Sequence, residues 1–151
     1  MSIQSQKKNM ARIAELVAQD LSYIYGDSEG RHPAGAKKLF LGKSRAFLRT
    51  LANDLGFSDF RIVTCAGGIA VAGDVGLYGQ WPDGSCAYVN IMQPSFGDYC
   101  CMYRTAKSLK DSCGGHNQFI SLGVFVQMDY EHVLRRLMAL KGESGYVRTA
   151  A

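Results

Sequence analysis

The chain has 151 residues, 47% of them hydrophobic and 20% charged, and a formal net charge of +4. A domain of that length hides roughly 70% of the surface its unfolded chain exposes, so a core can form without disulfide staples, and the chain reads as a single domain over residues 1–151. No apolar run approaches the roughly 20 residues that a bilayer-spanning helix needs, which excludes a transmembrane segment of that kind and leaves a globular composition.

The opening, MSIQSQKKNM, carries two lysines with no apolar stretch directly behind them. It does not read as a secretory signal, and the expected location is cytoplasmic. Met10, Ile13, Ala14, Val17, Leu21 and Ile24 recur at steps of three and four, which predicts an amphipathic helix ending near Gly26. The run GDSEGRHPAG is then a loop. Pro33 suits the first turn of a second helix, Phe40, Phe47, Leu51 and Leu55 give that helix an apolar stripe, and Gly56 is placed to cap it in the left-handed conformation.

From Phe60 the period changes to two. FRIVTC (60–65) and GIAVAGDVGLY (68–78) alternate, with Ile69, Val71, Val75 and Leu77 on one face and Gly67–Gly68 as the turn between the strands. WPDGS reads as a type I turn followed by glycine. CAYVNIM (86–92) and YCCMYR (99–104), joined by QPSFGD, complete a four-stranded antiparallel meander. Ala106, Leu109 and Cys113 then fall on the apolar edge of a short helix capped by Thr105 and ended by Gly114 and Gly115. FISLGVFVQM leads into a last helix with Asp129 at its cap, Met128 and Val133 as a hydrophobic staple, and Val133, Leu137 and Leu140 inward until Gly142. The tail from about 143 to 151 frays. The expected fold class is α+β: two N-terminal helices, the meander, a short helix and a C-terminal helix.

Several chemistries lack the residues they need. GKS at 42–44 resembles the end of a phosphate loop but falls inside a helix, whose amides cannot cradle phosphate, and the glycines between 67 and 76 precede no helix. Five cysteines, Cys65, Cys86, Cys100, Cys101 and Cys113, are odd in number and lack the spacing of a secreted scaffold, so reduced thiols are expected. Cys113 and His116, with Cys100 or Cys101, offer three of the four ligands that structural zinc wants, and no second paired motif exists. Cys113 with His116 is also the nucleophile and base of a weaker alternative, a cysteine- or metal-dependent enzyme. Asp83 is explained by its turn. No cofactor, metal site or catalytic residue is expected.

Binding surfaces are the stronger case. Arg104, Lys107 and Lys110 are expected to share the outer side of the short helix, and Lys38, Arg45 and Arg49 fall close to one stripe of the second helix. His116 and Asn117 sit in the loop that follows, free either to meet a partner or to bond loop backbone. Tyr78, Tyr88, Tyr99 and Tyr103 all come from the sheet. Strand tyrosines more often pack than recognise, though beside cations they can stack bases or anchor an interface.

GGIAVAGDVGLYGQWPDGSCAYVNI followed by MYRTAKSLKDSCGGHNQF resembles small proteins carried by bacteriophages and other bacterial mobile elements. The resemblance implies a bacterial host and a non-enzymatic protein that docks on and inhibits a host or defence protein, such as a CRISPR complex. Partner-binding residues would be Arg104, Lys107, Lys110, His116, Asn117, Lys38, Arg45 and Arg49. A basic chain is a poor charge mimic of nucleic acid, so such a protein would block by shape or grip acidic patches. The alternative is direct nucleic-acid binding through a basic strip and the sheet tyrosines.

Overall fold

The computed structural model describes residues 2–26, 34–65, 73–92, 99–112, 115–127 and 129–142. Two helices come first, α1 (Ser2–Gly26) and α2 (Ala34–Asp54). Five strands follow, β1 (Asp59–Cys65), β2 (Asp74–Gln80), β3 (Cys86–Met92), β4 (Tyr99–Ala106) and β5 (Gln118–Ser121), then α3 (Leu122–Gln127) and α4 (Tyr130–Met138). The strands form one antiparallel sheet in the order β1-β2-β3-β4-β5. The α+β class stands, with a fifth strand added to the expected four. Of the expected 26–35 loop, Gly26 belongs to α1 and Ala34 and Gly35 to α2; residues 27–33 with Pro33, the Gly67–Gly68 turn with Ile69 and Val71, the QPSFGD connection, Cys113, Gly114, Met128 and the 143–151 tail lie outside the described residues.

The helices cover one face of the sheet. α2 packs on β1 and β2, α1 packs on α2, α3 and α4, and α3 reaches β4 and β5. Strand alternation sends Val75 and Leu77, Val89 and Ile91, and Cys101 and Tyr103 to this inner face, where all are buried. Met10, Ile13 and Leu16 of α1 and Phe40, Phe47, Leu48 and Leu51 of α2 meet them. Phe47 makes edge-on ring contacts with Phe125 at 6.2 Å and Tyr130 at 6.0 Å, tying the N-terminal and C-terminal helices into one core. Among the described residues, the Ser44 hydroxyl is buried without a hydrogen-bond partner, while three other polar groups of this core are paired. Gln6 donates through Nε2 to the Phe47 carbonyl at 2.8 Å, Trp81 donates through Nε1 to the Leu55 carbonyl at 2.8 Å, and the Tyr130 hydroxyl donates to Asp54 Oδ2 at 2.6 Å.

The end of α2 is as the sequence predicts. Phe57 N–H reaches the Ala52 carbonyl at 3.2 Å and Gly56 N–H the Asn53 carbonyl at 3.1 Å, a Schellman pair that needs a left-handed residue, and Gly56 supplies φ 77°. The WPDGS turn also forms. Gly84 N–H bonds the Trp81 carbonyl at 2.9 Å, and Asp83 accepts from the Ser85 amide at 2.9 Å and hydroxyl at 2.6 Å.

Three expectations are corrected. No helix occupies 106–112: β4 runs on to Ala106, pairing Arg104, Thr105 and Ala106 with Tyr88, Ala87 and Cys86, and 107–112 are turns. The reason is local competition. Lys107 N–H bonds the Asp111 carboxylate at 2.9 Å, and Lys110 N–H, which a helix capped by Thr105 would give to the Ala106 carbonyl, bonds the Ser108 hydroxyl at 3.1 Å instead. FISLGVFVQM divides into β5 and α3, because pairing of Phe119 and Ile120 with Met102 and Cys101 extends the sheet before the helix begins. Asp129 is the N-cap residue of α4, yet its side chain makes no capping bond. Its carbonyl takes the His132 and Val133 amides at 3.0 and 3.2 Å instead.

Candidate functional site

The outer face of the sheet, away from the helices, carries a row of four side chains that the strand registers place side by side. Arg61 of β1 pairs with Tyr78 of β2, Tyr78 with Tyr88 of β3, and Tyr88 with Arg104 of β4. The Arg61 guanidinium lies 5.0 Å from the Tyr78 ring centre, the two tyrosine rings are 4.5 Å apart, and the Arg104 guanidinium is 4.7 Å from the Tyr88 ring. Each cation rests on the electron-rich face of a ring. Tyr88 reaches across Gly76, where a Cβ would stand 2.7 Å from its hydroxyl oxygen. Asn90 Nδ2 donates to that hydroxyl at 2.9 Å and to Asp74 Oδ1 at 3.0 Å. Burial pushes the Tyr88 hydroxyl pKa up despite the Asn90 contact.

The two arginines at the ends of the row hold the 107–112 loop. Arg61 Nε donates to the Leu109 carbonyl at 2.6 Å, and Arg104 donates to the Asp111 carbonyl at 2.5 Å and the Thr105 carbonyl at 3.1 Å. Arg104 is only 2% exposed, and the Asp111 carboxylate lies 3.9 Å away. Arg104 is therefore a structural cation that fastens the loop. Gly115 closes the loop against β4 with φ 74°, and a side chain there would strike the Thr105 carbonyl. Between loop and strand opens a groove of about 470 Å³ lined by Met102, Arg104, Ser112, Gly115, His116 and Asn117.

Of the residues singled out in the sequence, Arg104, His116 and Asn117 meet at this groove, and Lys107 and Lys110 stand exposed on the loop beside it. Lys38, Arg45 and Arg49 do not join them. They belong to α2, which lies behind the inner face, so the sheet separates the two sets of basic residues. The tyrosines divide as well. Tyr78 is 7% exposed and engaged in the row, and Tyr103 is buried on the inner face with its hydroxyl donating to Gln118 Oε1 at 3.1 Å. Tyr99 is exposed at the β4–β5 edge.

Two residues escaped the sequence reading. Arg61 is the second clamp of the loop, and Phe119 stands beside Tyr99 with ring centres 5.0 Å apart, both 48% exposed. The signal for Arg61 lies in the registers: once the β1–β2 and β2–β3 pairings are set, Arg61, Tyr78 and Tyr88 must fall in one row.

For covalent or metal chemistry the described residues offer little. Cys86, Cys100 and Cys101 are buried, and burial pushes the Cys86 and Cys101 thiols up, away from the reactive thiolate. Among the described residues no three His, Cys, Asp or Glu side chains are grouped to hold a metal ion, and no helix is long and apolar enough to cross a membrane. No family model matches the chain, and neither a curated protein nor a solved structure matches it.

Proposed function

We propose that the protein is a non-enzymatic binding protein of phage or mobile-element type, docking on a host or defence protein through the loop between β4 and β5. The observation that carries this reading is the division of labour among the basic residues. Arg104 and Arg61 are consumed in fastening the loop, whereas Lys107, Lys110, His116 and Asn117 remain exposed on it. A loop already fastened at Leu109 and Asp111 has little freedom left to lose when a partner arrives, which favours recognition by a preorganised surface. Two exposed lysines select an acidic partner surface, set the docking orientation and raise the association rate. The resemblance to mobile-element proteins supplies the class of target, a defence complex of the host.

The test is affinity purification of the tagged protein from bacterial lysate at low salt, with and without nuclease, beside the double variant Lys107→Glu, Lys110→Glu. A stoichiometric protein partner that survives nuclease and is lost from the double variant supports the reading. Equal recovery by both proteins, or no partner for either, removes it.

A further inference from the structure

We propose that the β5 edge of the sheet binds single-stranded nucleic acid, with bases stacking on the Tyr99–Phe119 pair and the phosphate backbone drawn to the Arg136 rim. This surface differs from the Lys107–Lys110 loop, and the proposal does not depend on the docking reading.

The rings require an explanation. Burying a phenylalanine contributes roughly 1.5–3 kcal/mol, yet Phe119 and Tyr99 stand half exposed, side by side on the outer face. Their placement follows from the β4–β5 pairing. Phe119 is opposite Met102, Tyr99 is opposite Ser121, and the register shift between Tyr99 and Cys101 lets Cys100 and Cys101 both be buried while Tyr99 points out. Phe119 also lines a second groove, of about 480 Å³, which runs round the edge of β5 to α4 and is bounded by Tyr103, Gln118 and Arg136. Arg136 is exposed there, its guanidinium 3.5 Å from the Tyr103 hydroxyl.

The rings thus lie beside two polar grooves, one bordered by Asn117 and the other by Arg136 with Gln118. The segment from Tyr99 to Gly142 holds six Lys/Arg against three Asp/Glu. Exposed π-faces beside the Arg136 cation and two amide side chains suit a single strand, in which a base follows each phosphate. A protein partner would call for a broader apolar centre, within roughly 800 Å² of contact on each side. Duplex nucleic acid keeps its base faces stacked inside and offers the rings nothing.

The experiment is fluorescence anisotropy with a labelled oligothymidylate of about 15 nucleotides, at salt from about 20 to 200 mM, using the full chain. Expected are binding that weakens steeply with salt, a loss of about tenfold or more for Phe119→Ala, retention by Phe119→Trp, and a log–log salt slope shallower by about 0.7 for Arg136→Gln. Phe119 is a surface residue, so an unchanged melting temperature in Phe119→Ala separates lost binding from lost fold. No binding at the lowest salt, indifference to both Phe119→Ala and Tyr99→Ala, or equal affinity for a duplex would overturn the proposal. So would preferential binding of an acidic glutamate–tyrosine copolymer, which would assign the edge to an acidic protein partner. Failure here leaves the outcome of the Lys107/Lys110 pull-down unaffected.

Discussion

Replacing Arg104 by methionine tests whether the loop is fastened as described. Methionine keeps much of the volume of the aliphatic stem and removes the guanidinium. The variant leaves the Thr105 and Asp111 carbonyls without their donor, and each orphaned buried acceptor costs about 1–3 kcal/mol. It also removes the stacking on Tyr88, worth about 1–2 kcal/mol where the cation is shielded from water. Against these losses stands the relief of no longer keeping a charge out of water, which is several kcal/mol for a group 2% exposed. The net expectation is a loss of about 3 kcal/mol, read as a fall in melting temperature of about 6–12 °C for a chain of this size. Urea denaturation followed by circular dichroism gives the global number, and amide exchange gives the local one. Exchange should quicken most at 107–112, while Arg61 still holds Leu109. Arg104→Lys should recover less than half the loss, because one ammonium cannot reach both carbonyls and the ring in the planar fork's geometry. A methionine variant within about 0.5 kcal/mol of the parent, with loop exchange unchanged, would refute the clamp.

Three further outcomes are expected. Gly79→Ala would drive its methyl into the Phe57 ring, which packs at a tilt on buried Trp81 with ring centres 4.8 Å apart; a destabilisation of about 1–3 kcal/mol in urea is expected, and it should be less than additive with Phe57→Ala. Asp83 is held below the ordinary carboxylate value of 3.8, first by the Ser85 hydroxyl and then by the Ser85 amide. With the folded value depressed, its stabilising contribution is present above 3.8 and is lost as pH falls through the folded value, so the melting-temperature gap between parent and Ser85→Ala should hold steady from neutral pH and narrow below 3.8. A gap that widens in acid would contradict this assignment. Iodoacetamide should label exposed Cys65 in the native protein and reach Cys86, Cys100 and Cys101 only on unfolding, as mapped by peptide mass; equal native rates would mean the sheet does not shelter them.

Local signals carried most of the architecture. The helix stripes of Ile13, Phe40, Phe47 and Leu51, the glycine stop at Gly56 and the WPDGS turn each depend on neighbours a few residues away, and each appears in the fold. The stretch from Arg104 to Phe119 was harder, because its outcome is decided by partners distant in sequence. Spacing alone lets Ala106 and Leu109 share a helix edge. Pairing with Cys86 keeps Ala106 in a strand, and Arg61 captures Leu109 from 48 residues away. Phe119 and Ile120 read as part of an apolar run until β4 is present to pair with them. The basic residues show the same limit: Arg104 and Arg45 look alike in sequence, and only the handedness of strand alternation puts Arg104 on the face opposite α2.

The neighbour order of the sheet bears on how the chain assembles. Each described strand pairs with the one next to it in sequence, so the sheet can grow one neighbouring pair at a time, with little chain to close at each step. The layer that shelters it obeys a different schedule. α1 buries its apolar face partly against α3 and α4, which lie beyond the sheet in sequence, and Phe47 of α2 is in ring contact with both Phe125 and Tyr130. α2 can cover β1 and β2 as those strands pair, but the apolar side of β4 and β5 stays open until α3 follows, so the layer closes only when helices from both sides of the sheet in sequence meet.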